Sequence, residues 1–331
     1  MNSGFYNQDS VFHEQNNFLR LISRAKTDIR RHAIRLGICI LIFLSAPYVF
    51  SFTLQLTGLY ELYSESFVIQ YCSEMLLMVI FLFLPFSAMY IFSSKKDKKI
   101  ITLSLENPKS PLAFLLAIPF GLILCFAGDY ISTLIASLFE SIGITLTSVP
   151  DYEVPTSGKD LFLYAFSTIV PPAIIEEFTL RSVAMQPLRK YGDKFAIIMT
   201  ALVFGLMHRN AVQGIFAFIA GLVFGYIAIA TNSIWPSVVV HALNNGFSVL
   251  LSVLMETNEE TANRVYALII SVVLVSGALS AILFFAIADK NRLSNPSPWL
   301  PLKEKCSPFI LNIPMILSLI IMILYTIFGD L

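Results

Sequence analysis

The stretch LFLYAFSTIVPPAIIEEFTLRSVAMQPL, Leu161–Leu188, is long and apolar enough to cross a bilayer, yet it carries Glu176, Glu177 and Arg181 in its interior. A spanning helix needs roughly 20 predominantly apolar residues. Charged groups held in hydrocarbon are costly, so such residues are read first as parts of a functional site with named partners. On a helix Glu177 and Arg181 stand four residues apart with the acid N-terminal, the favoured order for an ion pair. Glu176 then points about 100° away around the axis and is left to face something else. Pro171 and Pro172, one turn upstream, are expected to kink or open the helix and so to aim the carboxylates. Taken alone, a buried ion pair with one spare acid explains this segment as well as an active site does.

The rest of the chain has the same apolar character. Of its 331 residues 56% are hydrophobic, 13% are charged and 28 are Phe, and the mean hydropathy is +0.74. A soluble domain carries about a quarter charged residues, so this chain suits a lipid-facing surface. Its formal charge of zero gives no bulk attraction to nucleic acid. Cys39, Cys72, Cys125 and Cys306 form no C-x-x-C pair and read as small buried hydrophobes. The polar arm before residue 33 is too long for the basic region of an ordinary cleaved signal peptide, so the first apolar run is expected to be a retained anchor.

Candidate spans are Ala33–Leu56, Phe67–Phe92, Leu112–Leu138, Leu161–Leu188, Phe195–Met207, Ala211–Ala230, Ile234–Leu254 and Ala262–Ala288, with a ninth apolar run at Phe309–Phe328. The expected fold is all-α: a polytopic transmembrane helical bundle of eight core helices plus a ninth, preceded by a basic arm over residues 1–32. Phe195–Met207 is short for a span. Lys and Arg gather at alternate ends: Arg20, Arg24, Lys26, Arg30, Arg31 and Arg35, then Lys95, Lys96, Lys98 and Lys99, then Arg189, Lys190 and Lys194, then Lys290, Arg292, Lys303 and Lys305. The intervening ends carry Glu61 and Glu65, Asp151 and Glu153, then Glu256, Glu259 and Glu260. The positive-inside rule puts the N-terminus in the cytoplasm of a cell membrane, and a ninth span then puts Asp330 outside. Phe18–His32 fits a short interfacial helix and a topology-setting basic flank equally well. No internal repeat is visible.

The histidines narrow the function. His13 and His32 fall in the polar arm and read as solvated. His208 closes Phe204-Gly-Leu-Met-His208 in the fifth span, and His241 and Asn245 share one helix face in the seventh. Measured along their helices, Glu176, His208, His241 and Asn245 fall in a common slab of the membrane. In the sixth span Gly214, Ala217, Gly221, Gly225 and Ala228 form a small-residue face suited to close helix packing. Glu74 and Asp129 have no assigned chemistry and suit the wall of a wet cavity or a place near the membrane interface.

Glu-Glu-x-x-x-Arg at 176–181, Phe-x-x-x-His at 204–208 and His-x-x-x-Asn at 241–245, each on its own span, resemble the CAAX-protease and bacteriocin-processing (CPBP or Abi) family, which includes type II CAAX prenyl endopeptidases. The stretch Gly221-Leu-Val-Phe-Gly225-Tyr, with Ser233-Ile-Trp-Pro236, is similar to that family's later block. The resemblance covers about residues 161–247 and implies an intramembrane endopeptidase. It carries the catalytic acid to Glu176, its neighbour to Glu177, the arginine to Arg181, the first histidine to His208 and the last pair to His241 and Asn245.

On chemical grounds Glu176 and His208 would activate a water, and His241 and Asn245 would hold the oxyanion. Glu176, His208 and His241 are equally suitable zinc ligands, so the cofactor is either none or zinc. Expected partners are the lipid bilayer and a peptide or protein substrate arriving from the membrane or the cytoplasmic side, with no nucleic acid. A proton-coupled transporter and a non-catalytic immunity or scaffold protein are the rival readings.

Overall fold

The computed structural model describes residues 5–146, 154–287 and 293–328. Asp151, Glu153, Lys290, Arg292 and Asp330 lie outside the described residues. Among the described residues every regular element is helical. Helix α1 (Phe5–Thr57) runs without interruption from the basic arm through the first apolar stretch. The short α2 (Tyr60–Ser64) leads to α3 (Phe67–Met78), which passes through a π-helical turn, Val79–Phe83, into α4 (Leu84–Ile91). Pro85 lacks an N–H, so the preceding ladder shifts, and the Leu84 N–H bonds the Val79 carbonyl five residues back. Helix α5 (Lys95–Ser104) is a short amphipathic segment capped by Ser94, whose Oγ accepts from the Asp97 N–H at 3.1 Å. Then follow α6 (Pro111–Ser141), α7 (Gly158–Glu176), α8 (Asp193–Met207), α9 (Ala211–Thr231), α10 (Trp235–Thr257), α11 (Glu259–Ile287), α12 (Leu302–Ile310) and α13 (Ile313–Phe328).

Among the described residues seven helical segments are long and apolar enough to cross a membrane, and α12 with α13, bent by 79°, makes an eighth candidate. The chain is a multi-pass helical membrane bundle. The ninth expected span is this bent pair. The fifth is α8, with 15 residues; at about 1.5 Å per residue it reaches about 22 Å, short of the roughly 30 Å hydrocarbon core. Because α9 returns beside α8, the alternation of chain ends further along is unchanged.

Helices α8 and α9 form a tight hairpin, and the glycines explain its closeness. A methyl group built on Gly205 would stand 2.7 Å from the Gly214 carbonyl oxygen, and one on Gly221 would stand 3.0 Å from the Ala201 Cα. The small-residue face of the sixth span thus seats against the fifth, as its spacing suggests. Gly205→Ala is expected to force these backbones apart, costing about 1–3 kcal/mol and displacing His208 one turn away. A lowered melting temperature in detergent, together with weakened cleavage, checks this.

The turn at 208–210 is held by local devices. Arg209 adopts a left-handed conformation at φ 56°, and Asn210 caps α9 by accepting from the Gln213 N–H at 3.0 Å. Two expectations change. His32 is not simply solvated: its ring bonds the Ala184 carbonyl at 2.8 Å. Cys72 is exposed on α3, whereas Cys39 and Cys125 are buried as expected.

Candidate active site

Helix α7 continues through Pro171 and Pro172 without a break and then widens into a π-helical segment, Glu177–Ala184, before a 3-10 segment, Gln186–Tyr191. In the wide segment the Met185 N–H bonds the Leu180 carbonyl five residues back, at 3.0 Å. Carbonyls freed by the irregular ladder find side chains instead. Thr179 Oγ1 donates to the Glu176 carbonyl at 3.0 Å, Gln186 Nε2 to that of Arg181 at 3.1 Å, and His32 to that of Ala184.

The prolines, expected to kink or open the helix, leave carbonyls of α7 without their donors. In an α-helix the carbonyls of Ser167 and Thr168 would accept from residues 171 and 172, but proline has no N–H to give. Asn245 Nδ2 donates to the Thr168 carbonyl at 3.1 Å. Pro172 therefore ties α7 to α10 at the level of the site.

Glu177 and Arg181 are wholly buried, with Arg181 Nε 3.3 Å from Glu177 Oε2. The guanidinium lies 4.6 Å from the Phe204 ring centre and 5.5 Å from that of Phe224, a cation–π arrangement. Among the described residues nothing hydrogen-bonds to its terminal nitrogens.

Glu177 also faces α10: His241 Nδ1 donates to Glu177 Oε1 at 3.3 Å. The other nitrogen of that ring, Nε2, is 3.8 Å from Glu176 Oε2. The ring stacks on Phe224, with centres 5.1 Å apart. The result is a chain of polar groups in the order Arg181, Glu177, His241, Glu176.

His208 approaches from α8. Its Nδ1 donates to the Phe204 carbonyl at 2.9 Å, satisfying a carbonyl at the helix end. Nε2 is thereby left as the ring's basic nitrogen. The Phe204 ring touches both imidazoles, with centres 4.9 Å from His208 and 6.1 Å from His241.

Glu176, His208, His241 and Asn245 all line one cavity of about 390 Å³. Glu177 and Arg181 lie beneath it and hold its floor. Glu74, Thr168, Gln213, Asn244 and Ser248 complete its polar wall, and Phe204 and Phe224 are its aromatic supports. Sequence reading left these seven without a role. Glu74 was visible as an unexplained intramembrane acid, and Phe204 sits one turn before His208. The others resemble ordinary helix residues.

Residues 158–247 match the Rce1-like family, described as type II CAAX prenyl endopeptidase Rce1-like. No curated protein and no solved structure matches the chain. The matched segment begins at the first residue of α7 and ends just past Asn245, so it spans the helices that supply the four cavity-lining residues and the buried pair. Residues 158–247 of this multi-pass membrane protein thus match an Rce1-like domain, which supports the resemblance to the CAAX-protease (CPBP) family that the sequence motifs suggest.

Proposed function

We propose that this protein is an intramembrane endopeptidase that hydrolyses a peptide bond with a water activated by Glu176 and His208. The observation that carries the reading is the convergence of Glu176, His208, His241 and Asn245, from three helices, on one polar cavity above a buried Glu177–Arg181 pair. A transporter or scaffold needs no such meeting of carboxylate, two imidazoles and an amide.

Two carboxylates face one guanidinium, so the buried cluster reaches neutrality with one further proton. Glu176 and His241, 3.8 Å apart, share it, because an ionised carboxylate and an unprotonated Nε2 would oppose two acceptors. In the reaction Glu176 and His208 Nε2 hold the water, and one of them takes its proton as the water oxygen bonds the carbonyl carbon. The oxyanion is met by the His241 Nε2–H and by the second N–H of Asn245, whose first is committed to Thr168. As the carbon–nitrogen bond breaks, the amine takes up a proton from His208 or Glu176. Glu177 and Arg181 are positioning residues: they orient His241 and fix α7.

No step is routed through a metal. Among the described residues no three His, Cys, Asp or Glu side chains are grouped to hold one ion, and both nitrogens of His241 already face carboxylates. Cleavage is expected to survive exhaustive chelation undiminished, whereas a loss restored by added zinc would overturn this mechanism.

The overall test is purified protein in lipid nanodiscs incubated with lipidated and unlipidated peptides, with products read by mass spectrometry. Cleavage at one bond supports the reading. Ion flux in liposomes with no cleavage of any peptide would replace it with a transporter.

A further inference from the structure

The two ends of the cavity differ. Its floor is formed by Glu176, His241 and Phe224, and most of its other wall residues lie towards the ends of their helices that face away from the lysines of α5. Glu74 is about two turns inside α3, Gln213 is in the first turn of α9, and Ser248 is within about three turns of the end of α10. A second chamber of about 410 Å³ continues in the same direction. It shares Gln213, Phe216, Asn244, Asn245 and Ser248 with the first and adds Asp129, Ser132, Asn210 and Tyr266. Tyr266 stands about two turns into α11, past the acidic connection Glu256–Glu260.

The opposite end is sealed. Every residue from Thr179 to Leu188 is buried. Helix α5 closes over them, with Ser104 Oγ donating to Ser182 Oγ at 2.8 Å. Helix α1 does so through His32 and through Asp28, which accepts from Tyr191 Oη at 2.7 Å and pairs with Lys190 at 2.6 Å. The segment after α11 completes the plug, with Ser297 Oγ donating to the Lys190 carbonyl at 2.8 Å. This closed end bears the lysines of α5 and Arg189, Lys190 and Lys194. Membrane-protein ends rich in Lys and Arg stay in the cytoplasm.

We infer that the site receives water and substrate from the non-cytoplasmic face, through the two joined chambers. Its substrate is an extended polypeptide segment presented on that face, belonging to a membrane-anchored or exported peptide. This differs from entry through the membrane or the cytoplasmic side, the two routes expected from sequence. The lining argues for a peptide chain: the amides of Gln213 and Asn244 and the hydroxyl of Ser248 can bond a peptide backbone. A hydrocarbon chain laid there would leave them unpaired. The direction of access stands on the fold and the charges; the substrate half rests on the peptidase reading above.

The test uses the full chain with Cys72 and Cys306 replaced by Ser; Cys39 and Cys125 are buried. Ser248→Cys and Gln213→Cys report on the chambers, and Lys96→Cys reports on the closed end. Each is treated with a membrane-impermeant maleimide in right-side-out and in inverted membrane vesicles. The chamber positions are expected to label at least tenfold faster in right-side-out vesicles, and Lys96→Cys at least tenfold faster in inverted ones. Chamber labelling from the inverted side, from both sides equally, or from neither for both chamber positions would overturn the inference. A second arm tethers one cleavable reporter to a membrane anchor on either face. Cleavage confined to the non-cytoplasmic reporter is expected, and cleavage of the cytoplasmic reporter overturns the substrate assignment. No cleavage of either reporter, with the labelling pattern intact, overturns the peptidase reading while the direction of access stands.

Discussion

Replacing Glu176 by Gln is expected to lower the rate of peptide cleavage by about 10²–10⁴-fold, the usual contribution of a positioned acid–base group. The amide keeps the shape of the side chain and its place on the cavity wall but can neither take up nor return a proton. Glu176 is partly accessible, 17% for its side chain, and the wholly buried Glu177–Arg181 pair is left intact. The melting temperature should therefore stay near that of the unaltered protein. Rates by mass spectrometry and unfolding by fluorescence, on the same preparation, separate the two quantities. Cleavage at the original rate would show that Glu176 is a wall residue and that the site works without it. The Gln variant also distinguishes an enzyme from a scaffold, since a scaffold keeps its cellular phenotype when one wall oxygen becomes an amide.

The second large effect concerns the buried pair. Arg181→Met alone is expected to destabilise the fold by about 3–5 kcal/mol, because it strands the Glu177 carboxylate with no access to solvent. The double change Glu177→Gln with Arg181→Met should recover most of that loss. Arg181 lies against the rings of Phe204 and Phe224 and makes no hydrogen bond through its terminal nitrogens among the described residues. A methionine of similar length can therefore pack there. Activity should not recover with stability, because Glu177 Oε1 is the acceptor that orients His241, and a neutral amide is a weaker partner for that ring. Recovered melting temperature with activity still lost identifies the pair as a positioning device. Recovery of both would make it structural alone.

The same residues show what could be read in one dimension. The spacing of Glu177 and Arg181 was enough to foresee their ion pair, because residues four apart on a helix meet whatever surrounds them. The widened π-helical ladder around them was not foreseen. It follows from how α7 meets α1 and α5, through contacts such as His32 to Ala184 and Ser104 to Ser182. His32 looked like a solvated residue because its partner lies 152 positions away. Asn245 reads from sequence only as a donor to the oxyanion. Which carbonyl takes one of its N–H groups depends on Pro172 having removed the donor of Thr168 and on α10 lying beside α7.

By itself the amino-acid order determined that this chain lives in a membrane as a helical bundle, which of its ends are basic, and which residues are too costly to bury without a purpose. Those properties follow from hydropathy, charge and helical period, each local to a short window. Tertiary packing decided which nitrogen of each histidine is committed, that Glu177 and Arg181 sit under the cavity and not in its wall, and that the closed end of the cavity is the basic one. These depend on distances between helices far apart in the chain, set by where glycines let backbones approach and prolines leave carbonyls to be claimed.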